Sequence, residues 1–545
     1  MGGFLSHLKP EHNTEVLNAS CGPIRGNIYE HDDKIVDGYL GIPFAKAPIG
    51  ELRFKKSVEA EKWTEPLDCY KYGPGCPQSG ALGAMIVPQA SAIREFAEDN
   101  CLTLNVFAPK WKSAEFPNGL PVIVYFYGGG FEVGFSSMFD DYSLTGTLPL
   151  KDVILVTPNY RIGPLGFFAT GDDVSRGNWG LWDQALALQW VQKHIKSFGG
   201  DPSNVTISGT SAGGASVDFL SLSPHANKYF HKFIPMSGAA TCPFGIRSKD
   251  VEGLIFREFA KHHGYAGNDS ESLLHWYQSQ DAEIFLKAEG FKYPASGMFS
   301  FVPNYDGDFF PKPFDELRKE APKLDAIVSV AEYEGLGFEE FYPGQKSPQE
   351  VLTAALGPEV VRNREEVVKK AVEAYLENIE DKSGEKIGKK LVEIFGDYYF
   401  SVGVFDTVRS LAKYGNNVYL SSFNYFNPET PIMFGENRPF NAASHGCDIR
   451  YILGDGIGEF SKEDRKVMDM MGTYLTNFAK YGNPNGKGVS IPWEKYSLDN
   501  PGRYFKIDYP KCEMADNFLD GRYKIIDEVN EHGIQYQEMV FGKIL

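Results

Sequence analysis

Two apolar runs in this chain carry no alternating polar residues: PVIVYFY at Pro121–Tyr127 and VILVT at Val153–Thr157. A strand with one wet face alternates; a strand that does not must be covered on both faces. Helices supply that cover, and a well-supported one runs from Leu181. Leu181, Ala185, Leu188, Val191, Ile195 and Phe198 recur at steps of three and four on one helical face, and Gly199-Gly200 stops the helix. Val205-Thr-Ile-Ser then reads as a short strand, Gly209 to Gly213 as a tight turn, and Ala215 onward as a helix. Further strands are expected at Lys232–Met236, Ala326–Val330 and Val418–Phe423. This rhythm predicts an α/β fold: a large, mostly parallel central sheet with helices on both faces. From about 347 to 415 the chain turns helical and charged, as in REEVVKKAVEAYLENIE, which predicts a helical subdomain inserted in the sheet order. No repeat or linker divides the sequence, so one domain is expected over about 15–530.

Composition excludes several classes. Apolar residues make up 42% and charged residues 23%, which is ample for a packed core and rules out disorder as the main state. The net charge of −18 repels phosphate backbones, so no nucleic-acid partner is expected. None of the 7 cysteines forms a C-x-x-C pair, which argues against a zinc ribbon or a redox motif. The N-terminus, MGGFLSHLKPEHN, has no apolar stretch of secretory length. It does place Gly2 and Ser6 as an N-myristoylation pattern requires.

Gly209-Thr210-Ser211-Ala212-Gly213 fits G-x-S-x-G. The five residues are weak evidence alone; their place between a strand and a helix is what a nucleophile elbow requires. A serine needs a base, an orienting acid and donors for the developing oxyanion. Upstream, Gly128-Gly129-Gly130 follows the PVIVYFY strand and can present backbone N–H groups unobstructed by any Cβ. Downstream, Glu334-Gly335 lies just past a strand, with Glu332 as a competitor, and His445-Gly446 lies in a loop. The order GGG, Ser, Glu, His is that of an α/β-hydrolase triad. Such a site needs no metal and no organic cofactor.

The chain resembles the type-B carboxylesterases, the branch that includes the cholinesterases. The likeness rests on YLGIPFAKAPIGELRF at Tyr39–Phe54, on EDNCLTLNVFAP at Glu98–Pro109, and above all on Asn159–Val217. The resemblance implies the α/β-hydrolase fold, with Ser211 as nucleophile, His445 as base and Glu334 as acid. Glu334 is preferred to Glu332 because the family's acid directly precedes a glycine. By the same resemblance Gly129, Gly130 and Ala212 form the oxyanion hole, Ser237 supports the acid, Phe244 bounds the acyl pocket, and Cys76 pairs with Cys101. Cys242 matches half of a second disulfide but has no partner cysteine within the following two hundred residues.

The departures shape the expected substrate. No Trp lies between Cys76 and Cys101, where cholinesterases keep their choline-stacking ring, so neutral esters are expected. Thr210 stands where many relatives have Glu, and Glu132, after GGGF, is either a solvent-pointing side chain or a charge at the pocket mouth. The expected activity is serine carboxylesterase. The alternatives are an acyltransferase that resolves the same acyl-enzyme with an alcohol and, more remotely, a non-catalytic adhesion protein. The Gly2 pattern favours a cytoplasmic protein with weak membrane association through a single acyl chain. The resemblance to secreted relatives at Cys76 and Cys101 favours the alternative, secretion or the ER lumen. Sequons stand at Asn18, Asn204 and Asn268, and without a signal segment they are expected to be unused.

Overall fold

The computed structural model describes residues 12–78, 96–286, 298–338, 384–429, 438–454 and 460–524, with isolated positions between 350 and 375. A 12-stranded sheet forms its centre. In chain order its strands are β1 (His12–Asn13), β2 (Asn27–His31), β3 (Lys34–Pro43), β4 (Thr103–Pro109), β5 (Leu120–Phe126), β6 (Ile154–Pro158), β7 (Gly200–Thr210), β8 (Lys232–Met236), β9 (Asp325–Ala331), β10 (Val418–Phe423), β11 (Tyr504–Ile507) and β12 (Glu513–Ala515). Their spatial order is β1-β2-β3-β4-β6-β5-β7-β8-β9-β10-β11-β12. From β6 to β11 every neighbouring pair is parallel. The β1 to β4 edge and β12 are antiparallel additions.

The expected strands at 121–127, 153–157, 205–208, 232–236, 326–330 and 418–423 all fall in the parallel block. Every residue of β5, β6 and β8 is buried, as non-alternating strands require. The predicted helix is α1 (Trp179–His194), continued by one 3₁₀ turn to Phe198 and ended by Gly199 in the left-handed conformation. The elbow helix, α2 (Ala212–Leu222), begins three residues earlier than expected and packs on β7 and β8. Within the range expected to form an inserted helical subdomain, the structure describes α3 (Gly384–Gly396), a π-helical turn at Asp397–Ser401, and α4 (Val402–Lys413), which packs on β9 and β10. Most of 347–383 lies outside the described residues. α5 (Lys462–Tyr481) packs on β5 and β7.

One buried ion pair fixes the loop after β6 to α1. Arg161 donates from Nε and Nη2 to the two oxygens of Asp183, both at 2.8 Å, and its backbone N–H donates to the same carboxylate. Both side chains are buried, so removing one partner strands a charge in the core. Among the described residues no helix is long and apolar enough to cross a membrane.

Candidate active site

The parallel register delivers the site. Gly209 lies opposite Phe126 on one side and Pro235 on the other, so β5, β7 and β8 end level. The loops beyond these ends hold Gly128–Gly130, Ser211 and Ser237, side by side at the carboxyl ends of the strands. β9, next in order, ends three residues before Glu334.

Ser211 has φ 61° and ψ −125°, a backbone conformation that a non-glycine residue adopts only when its surroundings hold it there. Its N–H donates to the Met236 carbonyl at 2.9 Å, and its own carbonyl accepts from Ala215 N–H at 2.9 Å. Glycines make room for this turn. A Cβ on Gly209 would stand 2.5 Å from the Gly213 carbonyl oxygen, and one on Gly213 would stand 2.1 Å from that of Phe126. The fit extends beyond the G-x-S-x-G pattern: a Cβ on Gly238 would lie 2.1 Å from the Ser211 carbonyl oxygen, and one on Gly128 2.9 Å from Ser211 Cβ. Neither role has a signal in the local sequence. Ala212 opens α2, so its N–H is one of the donors that the helix itself leaves unused. Gly129 and Gly130 have φ 117° and 63°, and the Gly129 carbonyl accepts from Glu132 and Val133 N–H, closing the loop into a tight turn.

Glu334 and His445 meet directly. His445 Nδ1 lies 2.6 Å from Glu334 Oε2, with both side chains almost wholly buried. The other carboxylate oxygen accepts from Ala331 N–H at 2.6 Å. Backbone contacts hold the two loops together: Tyr333 N–H donates to the Ala443 carbonyl, and Tyr333 bridges Ser444. Gly335 has a steric reason, since a Cβ there would come within 2.2 Å of the Val392 carbonyl oxygen and 2.7 Å of Gly396 N. Glu332 is placed elsewhere. Its N–H donates to the Phe423 carbonyl, and burial holds its side chain up from the ordinary carboxylate range.

Two expectations change. Ser237 Oγ is buried with no hydrogen-bond partner among the described residues, so the hydroxyl gives the acid no hydrogen bond. Ser237 contributes through its backbone, with φ 51° and an N–H to the Ser329 carbonyl at 2.8 Å. Glu132 does not present its charge to the pocket mouth: Oε1 accepts from the backbone N–H groups of Ser300 and Phe301. Thr210 is fully buried and accepts from the Tyr125 hydroxyl at 3.3 Å, a neutral contact in place of a carboxylate. Cys76 and Cys101 are joined, and Cys242 is a buried free thiol.

Several neighbours of the site were not expected from the sequence. Phe400 and Phe338 lie against the His445 ring, at 4.3 and 5.3 Å between centroids. Phe244, the expected acyl-pocket residue, is buried between Phe400 and Phe299. Asp448, three residues beyond His445, is buried with Oδ1 lacking a partner, and burial together with the Glu334 charge pushes its carboxyl up to about 6.

A serine on a strained turn, an acid–histidine pair and a glycine loop at adjacent strand ends are the parts of an acyl-transfer site. The Carboxylesterase family profile matches residues 13–526. The chain belongs to the carboxylesterase family. It is similar to esterase cest-33 of Caenorhabditis elegans, with 53% identity covering 100% of this chain and 99% of that protein. Rat carboxylesterase 1E is 34% identical over 86% of this chain and 85% of its own length. Mouse pyrethroid hydrolase Ces2a is 32% identical over 90% and 88%. Like its family, this carboxylesterase is a carboxylic ester hydrolase.

Proposed function

We propose that Ser211, His445 and Glu334 form the catalytic triad and that the enzyme hydrolyses neutral carboxylic esters. The observation that carries the proposal is the buried 2.6 Å Glu334–His445 pair, placed at the strand ends that also hold Ser211. His445 Nε2 takes the Ser211 proton as Oγ attacks the ester carbonyl. Glu334 keeps the other proton on Nδ1 and stabilises the imidazolium that forms. The N–H groups of Gly129, Gly130 and Ala212 hold the oxyanion, and one such donor is typically worth about 10²–10³ in rate. His445 returns the proton to the departing alkoxide, which leaves as the alcohol. Water, deprotonated by His445, then attacks the acyl-enzyme and releases the acid and free Ser211. Product analysis with neutral esters, with and without added alcohols, tests this: free acid is expected, and transfer to the alcohol as the dominant path would instead favour the acyltransferase reading.

For location we propose, on the Gly2 and Ser6 pattern, a cytoplasmic protein carrying a myristoyl group and associating weakly with membranes. The joined Cys76 and Cys101 speak for the alternative, secretion or the ER lumen. Asn204 is engaged, accepting from Lys232 Nζ and donating to the Lys480 carbonyl, whereas Asn18 and Asn268 are exposed. Mass spectrometry of the mature protein decides between them. A C14 acyl group on Gly2 is expected; glycans on Asn18 or Asn268 would reject the cytoplasmic placement.

A further inference from the structure

Three glycines in a row give the Gly128–Gly130 loop a free backbone and no side chain of its own to hold it. Gly129 and Gly130 both have positive φ, 117° and 63°, so their N–H groups keep one direction only where neighbouring groups fasten the loop. The turn closes through the N–H groups of Glu132 and Val133, which donate to the Gly129 carbonyl at 3.1 and 3.0 Å. Glu132 is the first residue after the glycines whose side chain can hydrogen bond. Its carboxylate reaches a segment 168 residues further on: Oε1 accepts from Ser300 N–H and from Phe301 N–H, the latter at 3.0 Å.

That segment is itself held from several sides. Phe299, Ser300, Phe301 and Val302 are buried and lie in no helix or strand, so their backbone groups need partners from elsewhere. Charged side chains supply them. Arg247 donates from Nη2 to the Phe299 carbonyl and from Nη1 to the Ser300 carbonyl, the second at 3.1 Å. Arg247 Nη1 also donates to Glu252 Oε2 at 3.1 Å, and Glu252 Oε1 accepts from Val302 N–H at 3.1 Å. Arg247 and Glu252 are both buried. Glu132 completes the set: the two carboxylates take the N–H groups and the guanidinium takes the carbonyls. The segment then brings the Phe299 ring against the oxyanion loop, where a Cβ on Gly130 would fall on it. One segment thus grips the loop twice, through Glu132, two residues beyond Gly130, and through the ring against Gly130 itself.

We infer that Glu132 is a positioning residue for the oxyanion hole: its clamp on the Ser300 and Phe301 amides aims the Gly129 and Gly130 N–H groups at the developing oxyanion. Glu132 touches no reacting atom. This rests on the triad and oxyanion reading above and deepens it. Hydrogen bonds to an ionised acceptor are about twice as strong as neutral ones, and a misplacement of ~1 Å at a reacting centre can cost about 10²-fold in rate. Loosening the clamp should therefore weaken transition-state binding and leave ground-state binding alone.

The test compares three variants in the full chain. Glu132→Met keeps the length and loses the acceptor. Glu132→Asp keeps the charge but falls one methylene short. Glu132→Gln keeps an acceptor oxygen at the same reach. Rates are taken per active site, counted by end-point fluorophosphonate labelling of Ser211. Hydrolysis of a neutral 4-nitrophenyl ester is measured beside inhibition by a trifluoromethyl ketone, which forms a hemiketal oxyanion on the serine. Glu132→Met should lower kcat roughly tenfold or more with KM within about threefold, and should weaken the ketone by the same factor as kcat/KM. Glu132→Gln should recover most of that loss. A Glu132→Met protein of lowered thermal stability but wild-type kcat per site would show a merely structural role and overturn the inference. A loss carried by KM alone, or a glutamine variant as slow as the methionine one, would overturn it too. Should Glu132→Met not fold, Glu132→Asp decides, with the same fall in kcat and ketone affinity expected and a wild-type kcat overturning the inference. Failure of wild-type Ser211 to label would instead strike the triad reading.

Discussion

Replacing Glu334 by glutamine changes one oxygen to nitrogen in a buried contact, and the structure dictates which. One carboxylate oxygen already accepts from Ala331 N–H at 2.6 Å. A glutamine must turn its carbonyl oxygen to that donor, which leaves its NH₂ group facing His445 Nδ1. Two donors cannot share the contact, so Nδ1 gives up its proton and Nε2 keeps one. The imidazole is then in the wrong tautomer to accept from Ser211. The imidazolium also loses a carboxylate partner at 2.6 Å, where a hydrogen bond to a charged group is worth about 1.5–3 kcal/mol. Together the two losses should lower kcat by roughly 10³-fold or more, about 4 kcal/mol, with KM little changed. The assay is steady-state turnover of a neutral 4-nitrophenyl ester, with thermal unfolding as a check on the fold. Glu332→Gln is the control and should stay within about threefold, because His445 pairs with Glu334 and not with Glu332. Loss of less than tenfold in Glu334→Gln, or the larger loss in Glu332→Gln, would show that Glu334 does not set the histidine tautomer.

Three more outcomes are expected. Asp448 keeps its proton to about pH 6 when folded, against an ordinary value of 3.8, so between those pH values the unfolded chain binds fewer protons and stability falls as pH rises. Asp448→Asn should remove that fall: its urea stability relative to wild type should gain about 2 kcal/mol from pH 4 to pH 7, and a pH-independent difference would contradict this. Gly335→Ala must displace the Val392 carbonyl or Gly396, so thermal unfolding and turnover should both suffer; wild-type values for both would show that the glycine contact is not needed. With no Trp between Cys76 and Cys101, kcat/KM for a neutral ester should exceed that for its quaternary ammonium isostere; a tenfold preference for the cation, about 1.4 kcal/mol, would reverse the specificity reading.

The strands legible in the sequence are those buried on both faces. PVIVYFY and VILVT can be little else, and they became β5 and β6. The antiparallel edge escaped for the opposite reason. β3 mixes buried and half-exposed positions and contains Gly38 and Gly41, so no periodicity stands out. Ser211 and the GGG loop were readable because sharp turns need glycine nearby. The choice of Glu334 over Glu332 came from resemblance; its physical ground, the fit of Gly335 on Gly396, joins segments about sixty residues apart and has no local signature. Phe400 was invisible because a π-helical turn breaks the 3.6-residue spacing by which helical faces are read. Ser237 and Glu132 were misread because the hydrogen bonds that place them, to Ser329 and to Ser300 and Phe301, are tertiary.

The central claim is that Ser211 attacks the ester. Its most direct measurement is mass spectrometry of the protein after reaction with a fluorophosphonate, alongside turnover of wild type and Ser211→Ala. One adduct is expected, on the peptide containing Ser211, with loss of both labelling and turnover in the variant. An adduct on another serine, with turnover retained in Ser211→Ala, would contradict it.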